Sequence, residues 1–205
     1  YIPFEGYYES KGGRMESPHF PISEGMEFAR LTFESIAAED GYWWVDLFDE
    51  AGSPIPDVNS RLYASDGWTS SEVVLPVDPR ARTAQVAFVT GKGVSVRNVA
   101  FGPITVAEAA AWCDRLYATL PQIVRPSASG CWAQAPLAAA ALREGRPLRV
   151  VLLGDSIMND TYCGNFTALA KRMFPKSDLS FFISVRGSTG CWHYCKDAEF
   201  KQDVA

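Results

Sequence analysis

Three consecutive residues, Gly154-Asp155-Ser156, stand where an apolar run, Leu148 to Leu153, gives way to a helical pattern. A serine at a strand-to-helix turn has its hydroxyl exposed, and the backbone N–H groups of the first helical turn point into the same space. The helix N-terminus adds partial positive charge where an oxyanion would form. A second apolar run, Leu179 to Val185, leads into Arg186-Gly187-Ser188-Thr189-Gly190. There Gly190 can offer another N–H with no side chain in the way. A nucleophile with two such donors is the minimum for acyl transfer. Ser156 is therefore the candidate nucleophile and first oxyanion donor, and Gly190 the second donor. Asp155 is better placed to tie down the turn than to do chemistry.

The elements that must hold these residues follow from the pattern. Leu148 to Leu153 is a near-continuous apolar run, as expected for a strand buried on both faces. A helix containing Phe166, Leu169, Ala170 and Met173 follows, stopped by Pro175, and then the second run. Strand, helix, strand predicts a parallel sheet with a right-handed crossover. Its active crevice lies at the carboxyl ends of the strands, where both Gly/Ser-rich loops fall. Upstream, residues 105–146 read as a helical connector. Thr105-Val106-Ala107-Glu108 fits a capping box, Ala109, Trp112, Cys113, Leu116 and Leu120 form one helical stripe, and Pro121 ends it. A Pro/Ser/Gly-rich loop spans about Pro121 to Gly130, and a second helix is predicted from Pro136 to Arg143.

Residues 1–104 read differently. Segments beginning at Met26, Tyr42, Glu72, Ala84 and Val94 alternate and are rich in β-branched and aromatic residues. Turn signals such as Asp78-Pro79-Arg80 and Gly91-Lys92-Gly93 separate them. Short strands at this spacing predict an antiparallel, jelly-roll-like β-sandwich. The expected fold class is thus a two-part α+β chain: a β-sandwich (1–104), a helical connector (105–146) and the start of an α/β parallel-sheet domain of flavodoxin-like type (147–205).

Val151-Leu152-Leu153-Gly154-Asp155-Ser156-Ile157 resembles the first motif of the SGNH (GDSL-type) hydrolases, and Arg186-Gly187-Ser188-Thr189-Gly190 resembles their second, glycine motif. The resemblance covers only the opening portion of that family's domain. It implies that Ser156 attacks an ester carbonyl and that the Ser156 and Gly190 amides hold the oxyanion. It implies no cofactor and no metal. The family's Asn motif and its Asp-x-x-His motif have no match. The chain has 2 histidines, His19 and His193. His19 lies in a Pro-flanked loop and reads as structural or solvated, and His193 as a surface or supporting residue near Gly190. The remaining hydrolase segment, with the catalytic His, is expected outside this chain, beyond Ala205.

Composition narrows the field. Of the 205 residues, 47% are hydrophobic and 21% charged, the balance of a globular protein, and the formal net charge is -5. An acidic chain without a Lys/Arg run lacks the footprint of a nucleic-acid binder, and no apolar stretch is long enough for a membrane span. The 5 cysteines, an odd count, fit a secreted protein with one partner missing or free buried thiols; a secreted or periplasmic location is expected. Cys163 and Cys191 follow neighbouring strand ends and are a candidate bridge. Cys191, His193 and Cys195 are too few for a convincing zinc site. Asn159-Asp160-Thr161 and Asn165-Phe166-Thr167 match the glycosylation pattern but fall at or inside a helix, so they read as chance matches. Trp43 and Trp44 must face opposite sides of a strand, and with Trp68 they raise a sugar-stacking role against a core role.

The expected function is a serine esterase removing O-acetyl groups from a carbohydrate or polysaccharide, because a sandwich joined to such an enzyme resembles carbohydrate esterases. The alternatives are a carbohydrate- or protein-binding protein with a non-catalytic hydrolase-like part, and a lipid or thioester acylhydrolase.

Overall fold

The computed structural model describes residues 2–121 and 135–185. The strands are β1 (Ile2–Ser10), β2 (Gly13–Glu16), β3 (Phe20–Pro21), β4 (Phe28–Ala37), β5 (Gly41–Phe48), β6 (Pro54–Leu62), β7 (Thr69–Pro76), β8 (Thr83–Thr90), β9 (Val94–Ile104), β10 (Leu148–Gly154) and β11 (Leu179–Val185). The helices are α1 (Val106–Ala118), α2 (Pro136–Glu144), α3 (Ser156–Cys163) and α4 (Phe166–Met173).

Two antiparallel sheets build the first part. One has the order β1-β9-β4-β7 and the other β2-β8-β5-β6, with β3 added to β8. Alternation along β4 and β5 decides which side each residue takes. Leu31, Phe33, Trp43, Val45 and Leu47 point inward and are buried, while Thr32, Glu34, Tyr42 and Trp44 lie on outer faces. Rings from opposite sheets meet in the middle: Phe33 meets Phe88 edge-on at 5.0 Å, and Phe20 meets Phe101 at 5.2 Å. Burying side chains of this size contributes about 1.5–3 kcal/mol each, so the sandwich core dominates the fold's stability.

Helix α1 begins where expected. The Thr105 hydroxyl accepts the Glu108 N–H at 3.2 Å, and the Glu108 carboxylate accepts the Thr105 N–H at 2.8 Å. The buried face of α1 is Ala109, Ala110 and Cys113, however, and Leu116 and Leu120 are exposed. The small residues are favoured because α1 packs close to α4, with Ala168 and Phe28 completing that cluster. Gly145, at φ 70, ends α2 in the left-handed conformation. The Pro/Ser/Gly-rich loop lies, apart from Pro121, outside the described residues.

β10 and β11 pair in parallel, Leu148 opposite Leu179 through Gly154 opposite Val185. Two expectations need correction. The crossover is two helices rather than one, because Asn165 takes a left-handed φ of 58°, a conformation Asn tolerates better than most residues. Its buried side chain donates to the Val74 carbonyl at 2.6 Å and the Cys163 carbonyl at 3.2 Å. Met173 accordingly lies exposed rather than on the packed stripe. Nor is β10 buried on both faces. Leu148, Val150 and Leu152 pack inward, whereas Val151 and Leu153 are each 36% exposed. Among the described residues, no third strand pairs with β10.

The two parts are locked together. The Arg80 guanidinium donates to the Ile183 carbonyl at 2.7 Å, and the buried Asp78 carboxylate accepts the Ile183 N–H at 3.4 Å. The loop between β7 and β8 thus satisfies the outer edge of β11. Arg172 of α4 also donates twice to Asp114 of α1, at 2.5 and 3.0 Å.

Candidate functional site

Ser156 is the first residue of α3, two residues past Gly154, the last residue of β10, and its side chain is exposed. Each neighbour has a role in placing it. Asp155 is the N-cap, with extended φ and ψ of -101° and -157°, and its carboxylate accepts the Ile157 N–H at 3.0 Å. Asp155 is therefore committed to the turn. Gly154 allows the helix to start so soon: a Cβ there would stand 2.7 Å from the Cβ of Met158. No real Cβ contact is that short, so this close return of the helix onto the strand end requires glycine. The Ser156 N–H belongs to the first turn, whose donors have no partner within the helix. Hydroxyl and amide thus share the positive end of α3, the arrangement expected to stabilise a developing oxyanion.

Gly190, the proposed second donor, lies outside the described residues, as do Cys191, His193 and Cys195. The candidate Cys163–Cys191 bridge and the zinc possibility fall there too. Among the described residues no cluster of three or more His, Cys, Asp or Glu could hold a metal. His19 sits on the sandwich, its ring 4.5 Å from that of Phe48. No helix among the described residues is long and apolar enough to cross a membrane.

A solvent-open cleft runs between the two parts, lined by Met26, Arg82, Tyr162, Thr167, Lys171 and Phe181. It reaches Asp178 and Leu179, at the amino end of β11. Ser156 is at the opposite, carboxyl end of the sheet and does not line this cleft. Burial pushes the Tyr162 phenol far above its usual range, which keeps that group neutral.

The sequence matches no family model and no curated protein. Similar solved structures include the enzymatically active domain of bacteriophage CBA120 tailspike protein 4, 17% identical, covering 44% of this chain and 14% of that one, TM-score 0.40. A CBM4 structure is 14% identical over 48% of this chain and 72% of its own, TM-score 0.37. The family 11 carbohydrate-binding module of the Clostridium thermocellum cellulase Lic26A-Cel5E is 9% identical over 48% of this chain and 87% of its own, TM-score 0.33. The structural neighbours are mostly carbohydrate-binding β-sandwiches and glycoside-related domains, and nothing among them points to the SGNH hydrolases.

Both glycosylation patterns are closed by the fold: Asn159 and Asn165 are buried. The tryptophans divide as strand alternation requires. Trp43 is 4% exposed and in the core, and Trp44 faces outward. Trp68 lies under the Arg97 guanidinium at 4.0 Å. Sequence reasoning missed the contribution of Gly154. The signal was the Met158 side chain one turn on, but only the three-dimensional return of the helix gives it meaning.

Proposed function

We propose that this chain is the sandwich-bearing opening of an SGNH-type serine esterase that removes O-acetyl groups from a carbohydrate. The observation that carries the reading is the exposed Ser156 hydroxyl at the first position of α3, directly past the carboxyl end of β10. In this reading Ser156 Oγ attacks the acetyl carbon while a base takes its proton, and the carbonyl oxygen collects negative charge beside the Ser156 and Gly190 N–H groups. The sugar hydroxyl leaves with the proton, and water then releases acetate from the acyl-serine. The base is a histidine supplied from outside this chain. The half-exposed outer face of β10, with Val151 and Leu153, supports further hydrolase polypeptide packing there. The carbohydrate substrate rests on the resemblance in layout alone.

The second reading is a carbohydrate-binding protein with a non-catalytic hydrolase-like part. One observation favours it: the only histidine among the described residues, His19, packs against Phe48 of the sandwich. The full-length protein assayed on p-nitrophenyl acetate separates the two. Turnover abolished by Ser156→Ala supports the esterase, and absence of turnover in the wild type supports the binder. Acetate release from acetylated xylan, compared with hydrolysis of long-chain esters, then separates a carbohydrate esterase from a lipid acylhydrolase.

A further inference from the structure

The outer face of the β2-β8-β5-β6 sheet carries a pattern that the core does not need. Strand alternation sends Tyr42, Trp44, Asp46 and Phe48 of β5 to this face. Tyr42 is 42% exposed, and its ring centroid lies 6.2 Å from that of Trp44. Register places Arg61 beside Tyr42 and Asn59 beside Trp44 on one flank. On the other flank lie Val89 and the small Ala87, and beyond them Arg14 and Glu16 of β2. Of the two rings Tyr42 is the more exposed, Trp44 is half-buried, and Ala87 beside Trp44 is fully covered. Arg14 reaches across to the Trp44 ring, 5.9 Å from its centroid, and pairs with both Glu16 and Asp46. The Trp44 indole N–H is buried with no acceptor among the described residues, an uncommon state for such a donor.

We infer that this face binds a neutral polysaccharide chain, with Tyr42 and Trp44 stacking on sugar rings and Arg14, Asn59 and Arg61 hydrogen-bonding their hydroxyls. Three features select this occupant. Aromatic faces carry a negative quadrupole and pair with the C–H face of a pyranose. The rings are bordered by planar and branched hydrogen-bonding groups, which suit a rim of hydroxyls. A protein hot spot would instead be ringed by water-excluding, energetically neutral contacts. Finally, Arg14 and Arg61 balance Glu16 and Asp46, so the face carries no excess positive charge to draw a polyanion. The inference shares the carbohydrate part of the proposed function but does not depend on Ser156.

Titration calorimetry of the intact protein with cellohexaose, xylohexaose, mannohexaose and laminarihexaose, with polygalacturonate as a polyanion, tests it. The expected result is binding of at least one neutral hexasaccharide. Trp44→Ala and Tyr42→Ala should each weaken it by about tenfold or more, and Trp44→Phe, which keeps a ring, should retain most of the affinity. Trp68→Ala, in the loop that leads into β7 of the other sheet, should bind as wild type. An unchanged melting temperature shows that each variant is folded; should Trp44→Ala fail to fold, Tyr42→Ala carries the test. No binding of any neutral glycan, binding of polygalacturonate alone, or unchanged affinity in folded variants lacking either ring would overturn the inference. Ser156→Ala should bind the glycan normally, and Trp44→Ala should still hydrolyse a small soluble ester if the protein is an esterase, so the two readings fail separately.

Discussion

Gly154, Asp155 and Ser156 contribute to the candidate site in three different physical ways, and each can be tested separately. Gly154→Ala would push a Cβ to 2.7 Å from Met158, so α3 must move; the expected cost is about 1–3 kcal/mol, read as a lower melting temperature and, on the proposed function, slower ester hydrolysis. Asp155→Ala removes the cap on the Ile157 N–H and should cost about 1 kcal/mol, whereas Asp155→Asn should recover most of it in thermal unfolding. The positions of Asp155 and Ser156 were legible in the sequence because an apolar strand pattern, a cap residue and a helix pattern follow one another there. Gly190, read from the sequence as a second donor, lies outside the described residues, and no base could be read from the sequence, because such a partner is brought in by tertiary folding rather than by local pattern. Asn165 was equally opaque: its left-handed backbone and its bond to the Val74 carbonyl join residues far apart in sequence.

Among the elements, the loop between β7 and β8 holds the β10–β11 part to the sandwich. Asp78→Ala would strip the Ile183 N–H of its acceptor and leave Arg80 without its buried partner. Arg80 is itself half-exposed, so the expected loss is about 2 kcal/mol rather than the full cost of breaking a wholly buried pair. Denaturant titration measures it, and a loss below about 0.5 kcal/mol, the size of an ordinary surface substitution, would show the contact to be incidental. Strands β4, β5, β7, β8 and β9 were readable from alternation, since each has one face in the core. β6 was not, because Pro54, Pro56 and its polar residues read as loop. It lies at the end of its sheet, where proline is tolerated. β2, with Gly13, Arg14 and Glu16 among its four residues, has no apolar alternation to announce it. β10 misled in the other direction: its apolar run is what a doubly covered strand requires, yet Val151 and Leu153 are partly exposed among the described residues.

For the molecule as a whole, stability should fall at both ends of the pH scale. The folded protein holds the Tyr162 phenol far above its usual range, chiefly through burial and secondarily through Asp78. The unfolded chain ionises that group near pH 10. The contribution is therefore intact below about pH 10 and lost progressively as pH rises beyond it. Tyr162→Phe should flatten this alkaline limb of a melting-temperature profile, whatever its effect at neutral pH. On the acid side, Arg97 lowers Glu34, the Thr105 backbone N–H lowers Glu108, and Arg172 lowers Asp114. These contributions are present above the ordinary carboxylate range and disappear as pH falls below it; all three are surface groups, so added salt should shrink the effect. The same whole-molecule view frames the central claim, that the sandwich presents a carbohydrate to an acyl-accepting serine. The most direct measurement is mass spectrometry of the full-length protein after reaction with a fluorophosphonate, alongside acetate release from acetylated xylan. The expected result is one adduct, on the peptide containing Ser156, with labelling and acetate release both lost in Ser156→Ala. Acetate release that survives this substitution, or an adduct on another serine, would contradict it.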